Sequence, residues 1–114
     1  MKPFRGNDYP TLGVEEEFHL VDPGTGDLKG CVEDVLALLD DEMRQRVCYE
    51  LFNCVIENRT GVFRTAADLT GAVLDGRRRI AAACRQAGAL PVAAGSHPFG
   101  DYRNLTVAAD PHYR

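Results

Sequence analysis

A mixed α–β domain, with three strands carrying two helices, is the fold the sequence predicts. Three observations lead there. The run Thr11 to Val21 reads as a β-strand that carries acids where a plain core strand would carry apolar residues. Two stretches, Cys31 to Asp41 and Thr65 to Ala87, space their apolar residues as amphipathic helices do. Two short segments, Val47 to Asn58 and Leu90 to Ala94, are rich in β-branched or small apolar residues and follow those helices in turn. At 114 residues the chain has the length of one domain. A domain of this size buries roughly 60% or slightly more of its unfolded surface, enough for one modest core.

The first strand is unusual in what it carries. Successive side chains of a strand point to opposite faces. Val14, Glu16, Phe18 and Leu20 therefore share one face, and Glu15, Glu17 and His19 share the other. The strand ends at Asp22-Pro23-Gly24-Thr25-Gly26-Asp27, whose residue types make a turn. In the first helix, Val32, Val35, Leu36 and Leu39 fall at the i, i+3, i+4, i+7 spacing of one buried face. The segment from Val47 to Asn58 reads as one second strand. Its alternation is imperfect, which predicts either burial on both faces or a bulge.

Thr65-Ala66-Ala67-Asp68 opens the second helix. Thr65 is a capping residue, and Asp68 stands at the third helical position, where an acid suits the helix dipole. Leu69, Val73, Ile80 and Cys84 lie on or near one stripe, Gly76 weakens the middle, and Gly88 is placed as the C-terminal cap. Leu90 to Ala94 is the third strand, ending in Gly95-Ser96-His97-Pro98-Phe99-Gly100. Residues 101–114 show no clear period. Three strands leave at least one sheet edge open, which natural proteins cover or blunt. The sheet is therefore expected to continue in more chain, in another copy or in a partner.

Composition narrows the function classes. A net charge of −4 argues against a nucleic-acid or anionic-membrane binder. Arg77-Arg78-Arg79 is short and reads as a helix face. No apolar run reaches the ~18 residues of a membrane span, and the N-terminal residues lack the apolar core of a signal peptide. The expected compartment is the cytoplasm. Cys31, Cys48, Cys54 and Cys84 match no zinc-ligand spacing and sit among apolar neighbours, as small buried thiols do.

The acids carry the chemistry. Glu15 and Glu17, two apart on a strand, have Cβ atoms roughly 6.5–7 Å apart. Both can lean onto one hard cation such as magnesium. A half-buried strand with a charged, solvated face is the competing reading. Glu57, near the end of the second strand, faces the same side if the two strands pair. Glu50 lies earlier on that segment, at an odd spacing from Glu57, so a regular strand puts the two on opposite faces. Carboxylates brought together repel unless cations or protons bind, and several around one funnel predict one or two magnesium ions.

Gly13-Val14-Glu15-Glu16-Glu17-Phe18 with Asp22-Pro23-x-Thr25-Gly26 resembles the opening of the carboxylate-amine ligases related to glutamate–cysteine ligase type 2. The similarity continues through Glu57 and Thr60, the helix from Ala66, Ala93 to Phe99, and Asp110-Pro111-His112-Tyr113-Arg114. The resemblance implies an α+β fold, an antiparallel sheet with helices on one face, forming part of a glutamine-synthetase-like funnel. It implies ATP-dependent joining of a carboxylate to an amine through an acyl phosphate, with ATP and Mg2+ as cofactors and small-molecule substrates. Carried over by position, Glu15, Glu17 and Glu57 match metal-binding acids, and Glu50 matches a further acidic ligand.

Arg59, Arg64, His97 and Arg103 are candidates for binding substrate or phosphate, with surface salt bridges or turn contacts as the plain alternative. His19 shares the acidic face, either as a site member or as an exposed strand residue. Family members are considerably longer, and their later histidine-containing metal motif has no counterpart here. The chain is thus expected to be the N-terminal portion, residues 1–114, of a catalytic domain. It would work as a homo-oligomer or with a complementing chain; a non-catalytic fragment that completes its sheet with a partner is the alternative.

Overall fold

The computed structural model describes residue 3 and residues 5–111. His112, Tyr113 and Arg114, which close the family resemblance, lie outside the described residues. Strand β1 (Glu15–Val21) lies inside an antiparallel sheet of four strands, in the order β2-β3-β1-β4. The others are β2 (Val47–Tyr49), β3 (Val55–Arg59) and β4 (Leu90–Val92). Helices α1 (Val32–Leu38), α2 (Asp41–Arg44) and α3 (Ala66–Gln86) supply the other wall of the core. Phe18, Leu20, Val47 and Ile56 from the sheet pack with Val32, Val35, Leu39, Met43, Ile80, Ala83 and Cys84 from the helices and their ends. The α+β class and the antiparallel sheet are therefore as the sequence implies. The opposite sheet face, bearing Glu15, Glu17 and His19, carries none of these core residues.

Two elements differ from the sequence prediction. The single strand expected over Val47 to Asn58 is a hairpin, β2 and β3, with Cys48 opposite Glu57. Its connecting residues are drawn into other pairings. Asn53 donates to the Thr106 carbonyl (2.9 Å) and accepts from the Val32 N–H (3.1 Å), while Leu51 accepts from Ala108 (2.9 Å). A strand cannot run straight through residues whose backbone groups bond elsewhere, and this is the source of the imperfect alternation. The first helix, expected to run to Asp41, stops at Leu38. Leu39 is extended, and the Asp40 carboxylate caps the separate helix α2 by accepting from the Met43 N–H at 3.0 Å. Arg44 then reaches back to the carbonyls of Leu36, Ala37 and Leu39 at the end of α1, where helix carbonyls lose their i+4 partners; Leu36 also accepts from the Leu39 N–H at 3.2 Å.

The remaining local signals form as expected. The Asp22 carboxylate accepts from the N–H groups of Gly24 and Thr25, which holds its carboxyl below the usual range. Thr65 caps α3 by accepting from Asp68 at 3.1 Å. Gly88, at φ 68°, turns the chain out of α3 into β4. Gly76 is buried where α3 crosses β3, and a Cβ there would stand 2.7 Å from Asn58 Nδ2. Its place in the helix thus reflects close packing. Among the described residues, no helix is long and apolar enough to cross a membrane.

Candidate metal centre

Register assembles the acids. β1 and β3 pair so that Glu17 lies directly opposite Glu57, and Glu15 opposite Arg59. β2 and β3 pair so that Cys48 lies opposite Glu57. Glu50 follows β2 by one residue, and its N–H donates to the Val55 carbonyl at 3.3 Å, extending the ladder by one rung. Two residues beyond Cys48, it returns to the same face as Glu57. The parity difficulty disappears because Glu50 and Glu57 stand on opposite arms of a hairpin. One carboxylate oxygen from each of Glu17, Glu50 and Glu57 lies within 4.8 Å of the other two. Glu15 is two rungs away and outside this group; with Glu17 and residues 93–95 it borders a shallow pocket of about 360 Å³.

Little positive charge balances the three acids. Arg59 Nε is 3.6 Å from Glu57 Oε1, with the arginine half exposed. Neighbouring carboxylates at this spacing repel. An all-oxygen donor set of this kind suits a hard divalent cation. Glu17, Glu50 and Glu57 thus fit magnesium by the chemistry of their donors. Cys48 enters from the side, its Sγ donating to Glu57 Oε1 at 3.7 Å. Burial, reinforced by Glu57 and Glu50, pushes the Cys48 thiol above its ordinary value despite the opposing effect of Arg59. The sequence reading grouped Cys48 with inert buried thiols. Its position two residues before Glu50 is the signal that places it on the acidic face.

Two of the chain's three histidines, His19 and His97, border the same face. His97 Nε2 lies 2.8 Å from the Gly26 carbonyl, which only accepts, so this nitrogen carries the proton. Its Nδ1 then accepts from the Phe99 N–H at 3.4 Å. The His97 ring meets His19 edge-on, with centroids 6.1 Å apart. His19 Nδ1 is buried and has no hydrogen-bond partner among the described residues. Two adjoining cavities meet at His19. One, about 190 Å³, includes Glu17, Glu50 and Phe52; the other, about 250 Å³, includes Phe52, His97 and Tyr102.

The other candidate cations are engaged elsewhere. Arg64 stacks its guanidinium 3.7 Å from the centre of the Tyr9 ring. Arg103 forms a bidentate pair with Asp101 at 2.7–3.1 Å, on the surface. Of the four basic or histidine candidates, Arg59 alone contacts one of the three grouped acids. On the helix-facing side of β1, Glu16 receives Arg77 Nε at 2.8 Å. That pair ties α3 to the sheet, and the sequence reading of Arg77 as a plain helix face missed it.

Comparison with known proteins places this geometry in a family context. Residues 11–114 match the family model described as glutamate-cysteine ligase family 2. A relative from Rubrobacter xylanophilus named "Putative glutamate--cysteine ligase 2-1" is 38% identical over 109 residues, covering 96% of this chain and 29% of the relative. A second from that organism, "Putative glutamate--cysteine ligase 2-3", is 37% identical over 91% of this chain and 29% of its own length. One from Sorangium cellulosum, "Putative glutamate--cysteine ligase 2", is 35% identical over 91% of this chain and 28% of its own length. The chain spans less than a third of the curated relatives it matches.

Proposed function

The chain belongs to glutamate-cysteine ligase family 2, and on that premise we propose that it forms the N-terminal portion of the catalytic domain of an ATP-dependent carboxylate-amine ligase. The observation that carries this reading is the convergence of Glu17, Glu50 and Glu57 on one side of the sheet, with oxygens within 4.8 Å of one another. In this reading the acidic face is part of the wall of a glutamine-synthetase-like funnel. Glu17, Glu50 and Glu57 would hold Mg2+, and Glu15, two rungs along on the same face, would extend the ligand set toward a second ion. When bound, the metal neutralises the phosphates of ATP and the charge that develops during transfer. Arg59 orients Glu57 and offers a guanidinium to an anionic group of substrate or nucleotide. In the complete ligase ATP would give its γ-phosphoryl group to the carboxylate substrate, with ADP leaving; the amine would then attack the acyl carbon, displace phosphate and lose a proton to give the amide.

The test is replacement of Glu17 and Glu57 by Gln, singly, in a complete ligase carrying this segment. Each substitution is expected to abolish ATP-dependent amide formation while the melting temperature is kept. Full activity in either variant would overturn the assignment.

The sheet favours a second reading, in which the segment completes its fold with another chain. β2 and β4 are both edge strands of three residues, and Leu90 and Val92 on β4 are 40% and 38% exposed. An open, apolar edge is a template for strand addition. Light scattering separates the readings: a concentration-dependent dimer supports self-completion, and a monomer at all concentrations excludes it.

A further inference from the structure

We infer that Cys48 is a positioning residue of the acidic centre: its thiol holds one oxygen of Glu57, so that Glu57 offers a bound cation only the other. This rests on the reading of Glu17, Glu50 and Glu57 as a magnesium site and concerns how that site is kept in order.

Register delivers the thiol. Cys48 lies directly opposite Glu57 in the β2–β3 pair. Val47 and Tyr49, its neighbours along β2, pack with the core, so alternation turns Cys48 to the acidic face. There its Sγ donates to Glu57 Oε1 at 3.7 Å. Arg59 Nε stands 3.6 Å from the same oxygen, reaching it from two residues along β3. Groups from two strands thus converge on Oε1, and among the described residues no hydrogen bond reaches Oε2. Each carboxylate oxygen has about two lone-pair sites, so the uncommitted pair lies on Oε2.

Glu50 repeats the arrangement. Its Oε2 accepts from the Leu51 N–H at 2.7 Å, which leaves Oε1 to the cluster. Glu17 makes no hydrogen bond or ion pair among the described residues. The centre therefore has two acids oriented from outside and one that is free to close on the cation. A ligand oriented by a hydrogen bond from beyond the metal's own shell binds with less loss of freedom.

A thiol suits the place opposite Glu57. A lysine there would cancel charge that attracts a divalent cation, and another carboxylate would add to the repulsion. Cys48 is a neutral donor, so it fixes Glu57 and leaves all three negative charges to the metal. It is also the stiffer of the two partners. Arg59 is half exposed on a long stem, whereas Cys48 is part-buried with a single torsion to its sulfur.

Magnesium binding to the 114-residue chain is measured by calorimetry for wild type, C48A and C48S, with metal-free melting curves alongside. C48A should weaken magnesium about tenfold and leave the metal-free melting curve in place. C48S, which keeps a donor, should recover most of the affinity. Infrared spectra supply a readout that packing alone would not move. The S–H stretch absorbs where other protein groups do not, and subtracting the C48A spectrum isolates it from the other three thiols. E57A, or saturating magnesium, should move that band toward the higher frequency of a free thiol. A C48A that binds magnesium as tightly as wild type, a C48S as weak as C48A, or an S–H band that ignores both E57A and magnesium overturns the role of Cys48 and leaves the magnesium site standing. Failure of the wild type to bind magnesium overturns both.

Discussion

The two faces of β1 and β3 are built from the same ten-odd residues and obey opposite rules. Toward the helices, Phe18, Leu20 and Ile56 are buried and apolar, and the acid on that side, Glu16, is neutralised by Arg77 at 2.8 Å. Toward the open side, Glu17, Glu50 and Glu57 crowd together with one half-exposed arginine beside them. Apart from the Asn58 amide and one Glu16 oxygen, which are buried without a partner among the described residues, the first face is locally consistent, as folding requires. The second departs from that consistency in one compact place, which is where functional sites are expected. Stability and chemistry are thus divided between faces, so substitutions on the two sides should separate in their effects.

The largest expected effect lies on the helix-facing side. Ile80 is fully buried in the centre of the cluster between α3 and the sheet. Ile80→Ala removes three carbons from a packed site and should cost about 2–5 kcal/mol in urea unfolding. Next comes Gly76→Ala. Alanine is the better helix former by about 1 kcal/mol, yet its Cβ would stand 2.7 Å from Asn58 Nδ2. Asn58 is 0% exposed, so its side chain cannot turn out into solvent without leaving its place between α3 and β3. Overpacking of this kind costs about 1–3 kcal/mol, so a net loss is expected. The double variant G76A/N58A should recover most of it, because it removes the clash and two buried, unpartnered amide atoms. A loss that persists in the double variant would show that Asn58 is not the obstacle.

These same positions show what a sequence can and cannot tell. Period-two alternation fixed the two faces of β1 because parity is local and does not depend on partners. Thr65, Asp68 and Gly88 marked the ends of α3 because capping is decided within one turn. The hairpin was hidden because it depends on bonds from Asn53 to Val32 and Thr106, one before and one far after it in the chain. For the same reason parity misjudged the relation of Glu50 to Glu57. The acids were legible as residues, whereas their convergence required the pairing of Glu17 with Glu57 across forty residues of chain. The fates of Arg64, on Tyr9, and Arg103, on Asp101, were equally matters of tertiary placement.

A smaller effect is expected on the acid side of the pH profile. Met43 N–H and Arg79 hold the Asp40 carboxyl below its ordinary value. A pKa lowered by folding stabilises the fold above the unfolded value of about 3.9 and loses that contribution as pH falls through the lower, folded value. Asp22, lowered by the Gly24 and Thr25 N–H groups, acts in the same sense. The unfolding midpoint should therefore drop as pH falls below about 4, and Asp40→Asn should flatten that drop. An unchanged slope in the variant would assign the acid sensitivity to other carboxylates.

The smallest effect on stability should come from Glu17→Gln, and its sign is the most telling. Glu17 is exposed and has no ion-pair partner among the described residues, while Glu57 directly opposite and Glu50 repel it. Like charges placed opposite each other on adjacent strands destabilise the pair. Neutralising one of three should leave the melting temperature unchanged or raise it slightly in metal-free buffer. Magnesium should reverse the order, because a cation that binds only the folded wild type stabilises it by mass action. The measurement is a pair of melts for each protein, with and without MgCl2. The wild type should gain and the variant should not. A variant that melts well below the wild type without magnesium would mean that Glu17 belongs to the folding side of the division after all.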